Sequence, residues 1–214
     1  MVINRSKEIV DPIIGGKGLS AHADLKAGDL IIKVADPFLL VVENASLDEV
    51  CSQCFRKEQD CCRENKKLAA CLKCGVPRYC SEDCQTSSWN SIHGLECHIL
   101  KAVKDQGKVL PTPTRALMQI LLLHKLKDPS LAPDPRWKDL MSNLHKLRAT
   151  SRWNDILMQV QLACHLANLP LGQASYFAAE VFCRASPAPF PRLPMPTNSL
   201  TDVHKCVPCN VRCF

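Results

Sequence analysis

Four short stretches decide the reading of this chain: CSQC at 51–54, CLKC at 71–74, YCSEDC at 79–84 and HGLEC at 93–97. They supply eight donors in four close pairs, Cys51/Cys54, Cys71/Cys74, Cys80/Cys84 and His93/Cys97. A tetrahedral Zn²⁺ takes four thiolate or imidazole donors, and two cysteines separated by two or three residues present two sulfurs to one ion from a single turn. Four pairs therefore suit two structural zinc ions. A lone pair is as readily two buried apolar thiols, but four pairs inside 47 residues point to metal. The same stretch holds only a handful of large apolar side chains, too few for a core of its own, so metal must replace the core.

Working outward, 214 residues with 46% hydrophobic content suffice for one folded unit with a small satellite. No run of about 18 apolar residues exists to span a bilayer. The start, Met1-Val2-Ile3-Asn4, has neither a basic region nor an apolar stretch of the kind a secretory leader needs. The thiols are therefore expected in a reducing compartment, the nucleus or the cytoplasm, where 14 cysteines mean metal and not disulfides. The formal charge of +6 overstates the basic character, because seven metal-bound thiolates and two Zn²⁺ leave about +3. Lys and Arg are scattered and aromatics are only 5%, poor material for a base-stacking surface, so direct nucleic-acid binding is not expected.

Before the cysteines, residues 30–34 and 38–42 are β-branched, apolar runs separated by Ala35-Asp36-Pro37, which predicts a small sheet. Upstream, Gly15-Gly16-Lys17-Gly18-Leu19 reads as a turn with backbone freedom, and Ala27-Gly28-Asp29 as a second turn at a strand entry. After the cysteines, Leu117, Ile120, Leu121 and His124 fall at helical spacing within 114–126. Ile156, Leu157, Val160 and Cys164 do so within 151–169, with Ser151 able to cap that helix and Pro170 to stop it. His124, His145 and His165 read as ordinary core or surface histidines. The prolines between 187 and 196 forbid helix or central strand, so 185–214 is expected to be a disordered Pro-rich tail. His204, Cys206, Cys209 and Cys213 formally offer a third donor set there, but without apolar surroundings.

The order Cys-x-x-Cys, Cys-x-x-Cys, Tyr79-Cys80-x-x-x-Cys84, Trp89 and His93-x-x-x-Cys97 resembles the MYND zinc finger. That family binds its two ions in interleaved fashion. The resemblance implies that Cys51, Cys54, Cys80 and Cys84 hold one zinc and Cys71, Cys74, His93 and Cys97 the other, a pairing that spacing alone leaves open. Two features depart from the usual pattern: the 16-residue gap between Cys54 and Cys71, and the extra pair Cys61 and Cys62 within it, read as loop residues. His98 ranks below His93 as a ligand, because adjacent residues rarely point at one ion.

The Gly-Lys-Gly-Leu motif, the Leu25-Lys26-Ala27-Gly28-Asp29-Leu30-Ile31 strand entry and the finger that follows are similar to the opening of SET-MYND lysine methyltransferases. The resemblance implies an α+β fold in four parts: an N-terminal SET β segment at 1–50, the finger at 51–97, a helical SET insert at 98–184, and the tail at 185–214. It implies that Lys17, Gly18 and Leu19 line a pocket for S-adenosylmethionine, and that 137–147 corresponds to a segment that helps enclose that cofactor. The likeness stops near Arg184: no Asn-His-Ser-Cys stretch occurs, and Tyr79 and Tyr176 lie away from the position of the family's catalytic tyrosine. No catalytic residue is assigned, and the chain reads as truncated before the catalytic SET half. The expected function is a zinc-dependent interaction module for protein or proline-rich peptide partners, with Gln85 and Trp89 on the docking surface. The alternative is methyl transfer to histone or other protein lysines by the full-length form.

Overall fold

In the computed structural model, the described residues are 6–11, 16–21, 24, 26, 39–62, 67–127, 142–185 and 211–213. They fall into two compact units, Met1–Phe38 and Leu39–Phe214. The architecture is mixed, largely helical with small two-stranded sheets. Among the described residues no helix is long and apolar enough to cross a membrane.

In the first unit, β1 (Ser6–Asp11) pairs antiparallel with β2 (Gly16–Ala21), Ser6 opposite Ala21 and Asp11 opposite Gly16. This corrects the expectation of a turn at Gly-Lys-Gly-Leu: Gly16, Lys17, Gly18 and Leu19 are strand residues, opposite Asp11, Val10, Ile9 and Glu8. The reason is the preceding segment, whose Ile9 and Val10 favour an extended chain and whose backbone can pair along the whole six-residue stretch. The expected strand at 30–34 and the turn at 27–29 lie outside the described residues.

The second unit begins with β3 (Leu40–Val42), the realised part of the expected 38–42 strand, with Leu39, Val41 and Val42 buried. Its partner is β6 (Val211–Cys213), antiparallel, with Leu40 opposite Cys213 and Val42 opposite Val211. This corrects the expectation of a disordered tail at residues 211–213. Residues 211–213 contain no proline, and the open edge of β3 offers N–H and C=O groups that a short strand can satisfy. His204, Cys206 and Cys209 lie outside the described residues.

The finger follows, with the short α1 (Glu58–Cys61), the ribbon of β4 (Ala69–Ala70) and β5 (Arg78–Tyr79), α2 (Glu82–Ser88), a π-helical turn at Trp89–His93, and α3 (Gly94–Asp105). Beyond it stand α4 (Thr112–Lys127), α5 (Leu144–Arg148), α6 (Trp153–Leu166) and α7 (Leu171–Ala185). Helices α4, α6 and α7 pack on one another. The predicted stripe of Leu117, Ile120, Leu121 and His124 is buried, as are Ile156, Val160 and Cys164 opposite, while Leu157 is half-buried. Ala163, Ala167, Ala174 and Ala178 are also buried, and such small side chains allow close helix approach. His124 stacks on Phe177 with ring centroids 4.9 Å apart. Ser151 does not cap α6: Arg152 occupies that position with no side-chain cap, because a turn at 151–152 sets the helix start two residues later. Residues 137–141 lie outside the described residues, and 144–147 form most of α5.

Candidate metal centre

Two of the four cysteine pairs sit on knuckles built to the same plan. In the first, the Phe55 N–H donates to the Cys51 carbonyl (3.0 Å) and the Cys51 N–H to the Arg56 carbonyl (3.0 Å). In the second, the Gly75 N–H donates to the Cys71 carbonyl (2.7 Å) and the Cys71 N–H to the Pro77 carbonyl (2.9 Å). Each knuckle needs a left-handed residue after its second cysteine. Gly75 meets this at φ 64° without strain, whereas Phe55 adopts φ 58° with a side chain in place. The Ser52 N–H reaches across to the Arg78 carbonyl (2.8 Å) and ties the first knuckle to β5.

The other two pairs are carried by helices. Ser81 caps α2, its Oγ accepting from the Cys84 N–H at 3.2 Å, so Cys80 enters and Cys84 completes the first turn of the helix. The π-helical turn then shifts the helix face so that His93 points inward. This turn depends on Gly94, where a Cβ would lie 2.8 Å from the Trp89 carbonyl oxygen. His93 and Cys97 thereby lie one turn apart across the start of α3.

The chain brings the eight predicted donors into two groups, Cys51, Cys54, Cys80 and Cys84, and Cys71, Cys74, His93 and Cys97, with the donor atoms of each group within 4.8 Å of one another. The grouping is interleaved along the sequence. In the first group Cys54 and Cys80 sulfurs are 3.7 Å apart, and Cys80 and Cys84 3.5 Å. In the second, Cys71 and Cys97 sulfurs are 3.9 Å apart, and His93 Nε2 lies 3.3 Å from Cys71 Sγ and 3.7 Å from Cys74 Sγ. A tetrahedron with Zn–S bonds of about 2.3 Å has S–S edges of about 3.8 Å, and a Zn–N bond near 2.0 Å shortens the mixed edge to about 3.5 Å. The donor spacings are the edges of two such tetrahedra, so both groups fit Zn²⁺. His98 is exposed, outside either group, and Cys61 turns its sulfur to the Lys57 carbonyl (3.0 Å).

Thiol electrostatics agree with a dication at each centre. Burial opposes ionisation of Cys71, but the Cys74 N–H, His93 and the Lys73 N–H outweigh it and bring its pKa down to about 6. Burial likewise opposes Cys54, yet the Arg56 backbone and guanidinium hold it at about 7. The next thiols meet both burial and these charges: Cys74 is pushed up to about 12, and Cys80 is raised as well. Four thiolates at the first centre, or three at the second, cannot share one site on hydrogen bonds alone, and Zn²⁺ supplies the missing positive charge.

The second centre has a support that the cysteine spacing did not signal. With Nε2 directed at the thiolates, His93 turns Nδ1 to Glu96 Oε1 at 3.3 Å. Glu96 then accepts from Arg115 Nε (3.0 Å) and Nη2 (2.6 Å), and from Gln119 Nε2 (2.7 Å). All four residues are buried. Burial raises the Glu96 pKa, but Arg115, His93 and Gln119 more than offset it and hold the carboxyl at about 2. A carboxylate on the far nitrogen of a metal-bound histidine fixes the ring and its tautomer. Glu96 lies inside the HGLEC stretch, and its spacing of three from His93 was the available signal. Arg115 and Gln119, in the next helix, carried none.

Lys17, Gly18 and Leu19, expected at a cofactor pocket, are placed by their backbone on β2, in the other unit. Gln85 and Trp89 lie beside the second centre. Trp89 meets the His93 ring edge-on at 5.8 Å and remains 36% exposed.

Residues 51–97 match the MYND finger family model. The chain is 32% identical over 135 residues to the histone-lysine N-methyltransferase SMYD3 of Mus musculus, covering 62% of this chain and 28% of that protein. It is 30% identical over 115 residues to a SET and MYND domain-containing protein of Dictyostelium discoideum, covering 52% and 20%. It is 33% identical over 88 residues to N-lysine methyltransferase SMYD2-B of Danio rerio, covering 41% and 18%. The chain thus spans less than a third of the length of these curated relatives. These relationships, with the two donor groups, make residues 51–97 a MYND-type zinc finger, in a chain similar to SET-MYND proteins over part of their length.

Proposed function

We propose that the finger is a zinc-dependent docking module for a proline-rich peptide of a partner protein. The observation that carries this reading is Trp89: its ring covers the second centre yet stays open to solvent along a groove of about 450 Å³. Leu72, 96% exposed, and Gln85 line the same groove, and Lys73 Nζ stands 4.3 Å from the Trp89 ring centroid. An aromatic face beside an exposed aliphatic and an amide suits an extended proline helix, whose rings pack on tryptophan and whose free carbonyls accept hydrogen bonds. The zincs hold the knuckle that carries Leu72 and the turn that carries Trp89, so metal sets the groove.

Methyl transfer to protein lysines from S-adenosylmethionine is the second reading, and it belongs to the family architecture. Its support here is limited to β2, on which Lys17, Gly18 and Leu19 lie. Among the described residues β2 pairs only with β1, so alternate backbone N–H and C=O groups of β2 face away from β1. When bound, the cofactor would supply an electrophilic methyl group. The described residues hold no matching tyrosine: Tyr79 is buried with its hydroxyl donating to Ser88 Oγ (3.1 Å), and Tyr176 stands exposed on α7. In this reading the present chain is catalytically incomplete by itself.

The deciding experiment titrates a proline-rich peptide into the zinc-loaded chain and its Trp89→Ala variant by calorimetry, with zinc content measured in both. Weakened binding at two retained zincs is expected; equal affinity overturns the docking reading. Calorimetry with S-adenosylmethionine, using Gly18→Val as control, tests the second.

A further inference from the structure

Away from the Trp89 groove, a cavity of about 240 Å³ opens where the second knuckle, the later part of α3 and the connection into α4 meet. Val76, Leu100, Val103 and Leu110 make its walls largely apolar, and Lys104, Lys108 and Arg115 also line it. Arg115 is only 5% exposed, and its Nε and Nη2 are both spent on Glu96. Its Nη1 is buried with no hydrogen-bond partner. The planar fork of the guanidinium places Nη1 away from the edge that grips Glu96, and Arg115 is among the residues that line the cavity. A buried N–H donor without an acceptor is a costly arrangement, and it is relieved by a ligand that brings one.

Charge narrows the ligand. Asp48 lines the cavity but is paired with Arg78 at 2.7 Å. Lys104 donates to the neutral Gly75 carbonyl at 2.9 Å, and Lys108 is exposed. The balance left to a ligand is positive. Apolar walls disfavour a bare inorganic anion, and the volume suits a residue-sized aliphatic group. We propose that this cavity binds the carboxylate of a small branched aliphatic acid. The carboxylate accepts from Arg115 Nη1, beside the two ammonium groups, and the hydrocarbon lies on the four apolar side chains. Such a group comes either as the C-terminus of a chain ending in an apolar residue or as a free acid.

The test is an NMR titration of the full, zinc-loaded chain with three probes: N-acetyl-leucine, 4-methylpentanoate and N-acetyl-leucinamide. The two acids should shift the amides of Val76, Val103 and Leu110 and the Arg115 side chain saturably, with Kd in the millimolar range expected of so few atoms. The amide should not. Tighter binding of N-acetyl-leucine identifies a chain terminus, and tighter binding of 4-methylpentanoate a free acid. Because replacing Arg115 can unfold the finger, the variant is Lys104→Ala/Lys108→Ala, which should weaken the acids about tenfold with both zincs retained. Equal binding of the amide, unchanged affinity in the double variant, or no saturable shift at these residues overturns the proposal.

Discussion

Arg115 grips Glu96 through two parallel hydrogen bonds, Nη2 to Oε1 at 2.6 Å and Nε to Oε2 at 3.0 Å, with both side chains buried. Glu96 belongs to the zinc finger and Arg115 to α4, so the pair joins the metal centre to the helices. Breaking a buried pair leaves one charge uncompensated, whereas replacing both partners does not. Arg115→Met should cost about 3–5 kcal/mol in denaturant unfolding of the zinc-loaded chain, and Glu96→Leu/Arg115→Met should cost clearly less than the sum of the single changes. Additive losses would show that the pair is not energetically coupled.

Glu96 also orients His93. Glu96→Gln should weaken the second zinc by about 10- to 100-fold, as measured by competition with a chromophoric chelator, and leave the first unchanged. Equal affinity at both centres would remove Glu96 from the metal's support.

The same carboxyl makes the fold sensitive to acid. Its pKa is about 2 in the folded chain, below the unfolded value near 4.3. Its stabilisation is therefore complete above the unfolded value and fades as pH falls from about 4.3 towards 2. Over the acidic range in which both zincs stay bound, stability should fall more steeply with falling pH in the native chain than in the Glu96→Gln variant. The pH dependence of the denaturation midpoint in the two proteins measures this difference, and parallel curves would contradict it.

Metal removal separates the two centres. Strong chelation should abolish the finger's helical circular dichroism and open 51–97 to protease, since structural zinc in small fingers contributes on the order of 10 kcal/mol or more. Cys84→Ser should lower the bound zinc from two ions to one. Cys97→Ser should do likewise and also loosen α3. Unchanged protease protection after complete zinc loss would show a core independent of metal.

Gly94 sits where a Cβ would press on the Trp89 carbonyl at 2.8 Å. Gly94→Ala should cost about 1–3 kcal/mol and release zinc preferentially from the second centre, because the turn that aims His93 must open. Thermal unfolding with parallel zinc assay tests this; an unshifted midpoint would mean that the turn adjusts freely.

Metal centres were the most legible part of the chain, because ligand chemistry demands particular residue types at short spacing. Their interleaving was not readable from spacing, since any two knuckles can in principle share an ion. The stripes of α4 and α6 were legible for a similar reason: burial at every third or fourth residue leaves a periodic trace in Leu117, Ile120, Leu121, Val160 and Cys164. Strand β2 was misread as a turn because glycine signals flexibility locally, while its extended state is imposed by pairing with Ser6–Asp11. Pairing of Val211–Cys213 with β3 links residues about 170 apart in sequence, and no local pattern encodes such a contact. The Glu96–Arg115 pair is hidden likewise, because an acid and a base in adjacent helices are common and only the fold brings these two together.

The long gap between the first two cysteine pairs acquires a meaning from the interleaved ligands. Glu58 Oε2 accepts from the Leu68 N–H at 2.9 Å, closing the base of this gap like a buckle. Only the first ion's circuit passes through it, since the second centre takes all its donors from Cys71 onward. Lengthening a closed loop costs little, about 0.6 kcal/mol per doubling. The stretch between Glu58 and Leu68 is thus a natural splice point, where a family member can gain sequence, or an engineer an epitope or reporter, while both metals stay in place.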